Sequence, residues 1–326
     1  MLFFTFIFIF VLFLYIHVTS QYKRSEDLEI YEMDFKDNKN LQEVCDIKQP
    51  FLFEYRSIFP EFFENVNDET IAELGGSHDL KIKEIEDYWT TKEDGVVYVV
   101  LPFSSLQILI STDTNSRYFT EKNDDFVEET KLHGLFSKND DYLKPFMTIQ
   151  TKYDISLGSK GVVTPMRYHT DYRHFICVNS GKIRVKMTPF KSCKYLHPIK
   201  DYYNYEFWSP VNVWKPQEKY LNEMDKTKFI EFDVVAGTVL YVPPYWWYSI
   251  KFSDTDTLVS SFTYTSLMNG VANSVDWVRY FAKQNDGNVK SAPATSTTTT
   301  PNLNTTTSPI TTINEKTVYA QNKNDE

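Results

Sequence analysis

The sequence predicts a mainly β chain with flanking helices (α+β), its β part closed into a sandwich or barrel and its N-terminus an apolar helix. Three observations carry this expectation. Seven short runs rich in β-branched and aromatic residues lie between residues 148 and 265, separated by Gly, Pro, Asn and Asp. Residues 2–16 hold no charge at all. From about Asn285 the chain turns to Thr, Ser, Pro and Asn, with too little apolar side chain to offset ordering entropy.

Taken in order, residues 1–20 read as a transmembrane anchor or a signal segment. Residues 2–18 just reach the roughly 17-residue lower limit for crossing a bilayer, which makes lipid the first expected partner. Val18-Thr19-Ser20 also suits a signal-peptidase site. Lys23 and Arg24 follow the apolar run and none precedes it, so charge asymmetry favours a single-pass protein with its domain in the cytosol. Residues 21–37 read as a juxtamembrane segment and 38–284 as one domain. Within it, 40–47 suits a short helix, 51–55 an entering strand, 68–75 a capped helix and 139–146 a turn-rich approach. The expected strands are 148–157, 168–179, 182–188, 228–234, 238–242, 247–252 and 257–265, with a turn at 236–238 and a closing helix from 277. Residues 285–326 read as a disordered tail. Its Asn304-Thr305-Thr306 sequon would need a luminal location, opposing the charge argument.

Composition excludes several function classes. A net charge of -10 argues against nucleic acid as a partner, because phosphate binding needs a basic face. Lys182, Arg184 and Lys186 alternate as a solvated strand face does. Three cysteines, Cys45, Cys177 and Cys193, make no disulfide framework and no zinc pair, and free thiols suit a reducing compartment. The acidic run 123–130 lacks the alternation and Gly of a calcium loop and reads as a solvated loop. No Ser-His-Asp order, Walker loop or dinucleotide fingerprint occurs.

Two stretches carry motifs. Residues 167–185 read RYHTDYRHFICVNSGKIRV, and residues 236–250 read AGTVLYVPPYWWYSI. Together they resemble the cupin-like family related to JmjC and asparaginyl hydroxylases, over most of residues 48–264. That family has an H-x-D motif, a G-x-K-R hairpin and a distal G-D-x-L-[YF]-[IV]-P-x-x-W-W-H strand. Gln49-Pro50-Phe51-Leu52 and Lys144-Pro145-Phe146 look like its entry strand and barrel approach. The wording P-P-Y-W-W-Y-S-I resembles that of membrane-anchored cupin-like proteins of large DNA viruses. The resemblance implies a double-stranded β-helix. In active relatives it implies Fe(II) and 2-oxoglutarate, with two His and one carboxylate on one side of iron and three positions left open.

This chain departs from the pattern. The distal His falls on Tyr248, the carboxylate-pairing Lys on Ile183, and a polar position of the last strand near Ser261. Lys182 is one residue off and turned to the opposite face. Counting from His169-Thr170-Asp171 keeps two of three ligands. Aligning on Thr164-Pro165 instead puts Arg167 at the His and His169 at the Asp. On a regular strand Arg167, His169 and Asp171 share one face either way, and His174 faces away. His174 and His197 are further candidates for a lost ligand.

Two readings follow. In one, the fold is a degenerate oxygenase serving as a binding or structural module, with no cofactor. In the other it is a hydroxylase with His169, Asp171 and Tyr248 as an atypical metal site, Tyr being a known iron ligand. Trp246, Trp247 and Tyr168 suggest a binding pocket, although a barrel wall needs large rings as well.

Overall fold

The computed structural model describes residues 2–90 and 96–285, so of the tail expected over 285–326 all but Asn285, which ends a helix, lies outside the described residues, Asn304 included. The strands form three sheets. The first runs in the order β1 (Tyr31–Glu32), β2 (Phe51–Glu54), β13 (Thr238–Val242), β8 (Arg173–Ser180), β15 (Leu258–Ser266), β6 (Thr148–Leu157). The second runs β10 (Ile199–Asp201), β11 (Glu206–Trp208), β7 (Arg167–Tyr168), β14 (Trp247–Phe252), β9 (Lys182–Thr188), β12 (Ile230–Val235). A small third sheet joins β4 (Val99–Pro102), β3 (Asp79–Glu84) and β5 (Tyr118–Thr120).

From β6 onward the chain winds between the two large sheets. β6, β8, β13 and β15 belong to the first, and β7, β9, β12 and β14 to the second. This is a double-stranded β-helix. Its interior is apolar because the pleat turns alternate residues inward. Ile176, Val178, Leu240, Val242 and Val259 of one sheet meet Ile183, Val185, Ile250 and Phe252 of the other. Helices cover the outer face of the first sheet, where Phe62, Phe126 and Phe136 pack with Phe53, Phe175 and Phe262. The outer face of the second sheet is covered by the excursion between β9 and β12, through Leu196, Phe207, Val211 and Met224.

Two sequence expectations are corrected. Residues 168–179 are not one strand. The chain leaves β7 after Tyr168, crosses between the sheets, and begins β8 at Arg173. Groups from elsewhere satisfy the crossing: the Tyr245 N–H donates to the His169 carbonyl at 2.8 Å, and the Asn269 and Asn273 amides donate to that of Thr170 at 2.9 and 3.2 Å. Second, the acidic run is not a solvated loop. It forms the helix Asp124–Glu129, which buries Phe126 and Val127 while its acids stay outside. The approach over 139–146 holds one helical turn, Asp140–Leu143, before β6.

The apolar helix Leu2–Gln21 is exposed along almost all its length. Near its end it packs on the helix Leu267–Ala272, and the Tyr22 hydroxyl donates to the Ala272 carbonyl. The following segment runs along the domain. The Arg24 guanidinium lies over the rings of Phe190 and Tyr245, at 3.9 and 4.2 Å, and the Gln49 amide donates to the carbonyls of Asp27 and Glu29. Residues 21–37 are thus fastened to the domain by ring, amide and strand contacts.

Candidate functional site

At one end the barrel interior changes from apolar to polar. Cross-strand pairing puts Ser261 beside Ile176 and Asp154, and Thr263 beside His174, all on the inward face. Tyr248 of β14 lies opposite Arg167 of β7. The crossing segment contributes His169 and Asp171. These residues line the barrel mouth.

The crossing decides which of them meet. Because the chain changes sheets between His169 and His174, the alternation expected for one strand does not carry over. His174 therefore faces inward, correcting the expectation that it faces away. Its ring lies 4.8 Å from that of His169 between centroids, its Nδ1 is 2.8 Å from the Thr263 hydroxyl, and its Nε2 is 3.5 Å from the Tyr248 hydroxyl. Burial first, then the neighbouring His169 and Arg167, holds His174 well below the ordinary imidazole range.

His169 is held below its usual value by burial, partly countered by Asp171. Its Nε2 is 3.0 Å from the Val242 carbonyl, and a carbonyl only accepts, so the proton sits on Nε2 and Nδ1 presents a lone pair. That Nδ1 is buried without a hydrogen bond and lies 3.9 Å from an Asp171 oxygen. The other Asp171 oxygen accepts from the Thr265 hydroxyl at 2.9 Å. Burial raises the Tyr248 phenol above its normal value, so it stays protonated at neutral pH.

Behind the mouth is a buried ion network that no motif announced. Lys83 donates to Glu121 at 3.1 Å and to Glu206 at 2.8 Å, and Lys122 lies 2.9 Å from Glu206. Arg167 pairs with Glu121 through Nη1, while its buried Nη2 has no hydrogen-bond partner among the described residues. Burial alone would raise the Glu206 carboxyl, yet Lys122, Lys83 and Arg167 hold it far below the usual range. The nearby Asp154 carboxyl is pushed up to about 7 by burial, against the pull of the Asn123 and Lys122 backbone N–H groups that it accepts. Lys83, Glu121 and Glu206 come from sequence-distant segments of unremarkable composition, so nothing in the sequence singles them out.

The other expected site residues are dispersed. Ile183 is buried in the apolar interior between Val234 and Phe252. Lys182, Arg184 and Lys186 lie on the opposite face beside Asp233 and Glu231. Trp246 packs in the barrel interior, whereas Trp247 and Tyr168 pack together beyond the second sheet, with ring centroids 4.8 Å apart. These three therefore share no one surface. His197 is remote from the mouth, against Tyr220 and near Glu223.

An iron site is not what these residues fit. His169 and Asp171 could supply two donors across their gap. Of the two other positions that the resemblance expects to be functional, one holds a phenol, Tyr248, in place of an imidazole, and the other holds Ile183, buried and without charge. Among the described residues no three His, Cys, Asp or Glu side chains converge as a ligand set.

The cupin-like domain family matches residues 32–269 of the 326. This chain belongs to that family. A curated relative, JmjC domain-containing protein D of Dictyostelium discoideum, is 32% identical over 96 residues. That match takes in 29% of this cupin-like chain and 21% of the relative's own length. The cupin-like match begins at Glu32 and so takes in both large sheets of the fold.

Proposed function

We propose that this is a membrane-tethered cupin-like protein of viral type, acting as a binding or structural module without conventional oxygenase activity. One observation carries the reading. Tyr248, which the resemblance sets at the distal ligand position, puts a buried phenol near His174 where the family has an imidazole. A phenolate there would in any case favour ferric iron and oppose a ferrous cycle. Ile183, sealed among apolar side chains, gives 2-oxoglutarate no cation. The helix Leu2–Gln21, long and apolar enough to cross a bilayer, supports the tether. The residues from Pro243 to Ile250 carry the viral likeness.

The alternative, a 2-oxoglutarate-dependent hydroxylase with an atypical site, draws on the gap between His169 Nδ1 and Asp171. Anaerobic titration with iron and 2-oxoglutarate decides between them. The binding-module reading expects no charge-transfer band and no stoichiometric iron. Stoichiometric iron with turnover of 2-oxoglutarate would overturn it.

A further inference from the structure

The domain carries an apolar face that no other described residue covers. In the helix Ser274–Asn285, Val275, Val278 and Phe281 recur at helical spacing and are exposed, Val278 at 66% and Phe281 at 55%. The opposite side of that helix holds it to the domain. Asp276 accepts from the Tyr202 hydroxyl at 2.7 Å, and Tyr280 packs on Tyr205 with centroids 5.6 Å apart. The preceding helix, Leu267–Ala272, adds exposed Val271. Beside it lies the loop before β6, where Phe146 is 88% exposed and Met147 accepts from the Leu267 N–H at 2.9 Å. The side chain of Ile149 reaches Gly270 and is itself half exposed. Exposed apolar residues grouped in this way mark an interaction surface rather than chance exposure.

The position of the patch names its occupant. Leu2–Gln21 leaves the domain beside Leu267–Ala272, held there by the Tyr22–Ala272 hydrogen bond. We propose that this face rests in the interfacial layer of the bilayer that the N-terminal helix enters, so the domain makes a second, non-spanning membrane contact through Val271, Val275, Val278, Phe281 and Phe146. This rests on the tether reading above. A short helix with one apolar side suits such burial, the apolar side entering the boundary between headgroups and acyl chains. The chain beyond 285 is rich in Thr, Ser, Pro and Asn and offers few apolar side chains to cover the patch instead.

The test uses the full chain in lipid nanodiscs of phosphatidylcholine, in a Cys193→Ser background, since Cys45 and Cys177 are buried. An environment-sensitive fluorophore is placed in turn at Val278→Cys, at Phe8→Cys, and at Asp254→Cys, which precedes β15 at its end farthest from Leu267. Nitroxide-bearing lipids should quench the labels at positions 278 and 8 and leave that at 254 bright. Quenching at 8 without quenching at 278 overturns the second contact and leaves the tether standing. No quenching at either position overturns both. A blue-shifted but unquenched label at 278, with disulfide-linked dimers forming through that cysteine, would assign the face to a second copy and overturn the proposal.

Discussion

His174 and Asp154 titrate at the barrel mouth in opposite senses. Burial, then His169 and Arg167, keeps His174 neutral well below its ordinary range. The unfolded chain takes up a proton near pH ~6.5 that the native chain refuses, so this stability is complete above that pH and lost as pH falls below it. Asp154 behaves in reverse. Raised to about 7, it holds a proton that the unfolded chain releases above roughly pH 4, so its stability is present in acid and lost as pH rises towards 7. Each fully developed slope is about 1.4 kcal/mol per pH unit. Against the unsubstituted protein, between roughly pH 5 and 6.5, Asp154→Asn should make the urea midpoint fall more steeply on acidification, and His174→Gln less steeply. Slope changes of the same sign in both variants would contradict these assignments. The residue types at this mouth were legible in the sequence as Arg167, His169, Asp171 and Tyr248. The inward turn of His174 was not, because a period-two pattern carries no mark where a chain changes sheets.

At the scale of elements, the entry to β14 places adjacent indoles on opposite sides of one sheet, Trp246 just before the strand within the barrel and Trp247 at its start beneath the covering excursion. Both are almost wholly buried. Trp246→Ala and Trp247→Ala should therefore each cost about 3–5 kcal/mol in a denaturant titration. A small loss at position 247 alone would mean that the excursion between β9 and β12 does not seal the outer face. The ion network ties β3, β7 and β11 together through Glu121 and Glu206. Glu206→Gln leaves Lys83 and Lys122 with too little negative charge, and should destabilise by about 3–5 kcal/mol. Full stability retained in that variant would show the network to be solvated. The strands β6, β9, β13 and β14 match their sequence expectations end for end, because alternation and bounding turns define each one locally. The small sheet of β3, β4 and β5 was missed, since its short strands carry little alternation and are defined by partners far along the chain.

For the whole molecule, membrane topology is the open prediction. Lys23 and Arg24 after an uncharged run should keep the domain in the cytosol. Expression with microsomes should yield an intact N-terminus and an Asn304 without glycan. A glycosidase-sensitive mass shift abolished by Asn304→Gln would place the domain in the lumen, and an N-terminus at Gln21 would make the helix a cleaved signal. A sandwich or barrel was legible from the strand runs, and the double-stranded β-helix only through the family resemblance that the two motifs carry. How the segment 21–37 meets the domain was not, for its contacts run to residues as distant as Phe190, Tyr245 and Ala272. Those contacts leave no slack between the N-terminal helix and the barrel. Tyr22 is fastened to Ala272, Arg24 is held over two rings, and by Tyr31 the chain is already a strand. A head joined by a loose leash samples every orientation above a membrane and sweeps a wide volume. Were Leu2–Gln21 to lie in a bilayer, a domain rooted at its first residue would keep a fixed height and bearing above it and meet only what passes along that one plane.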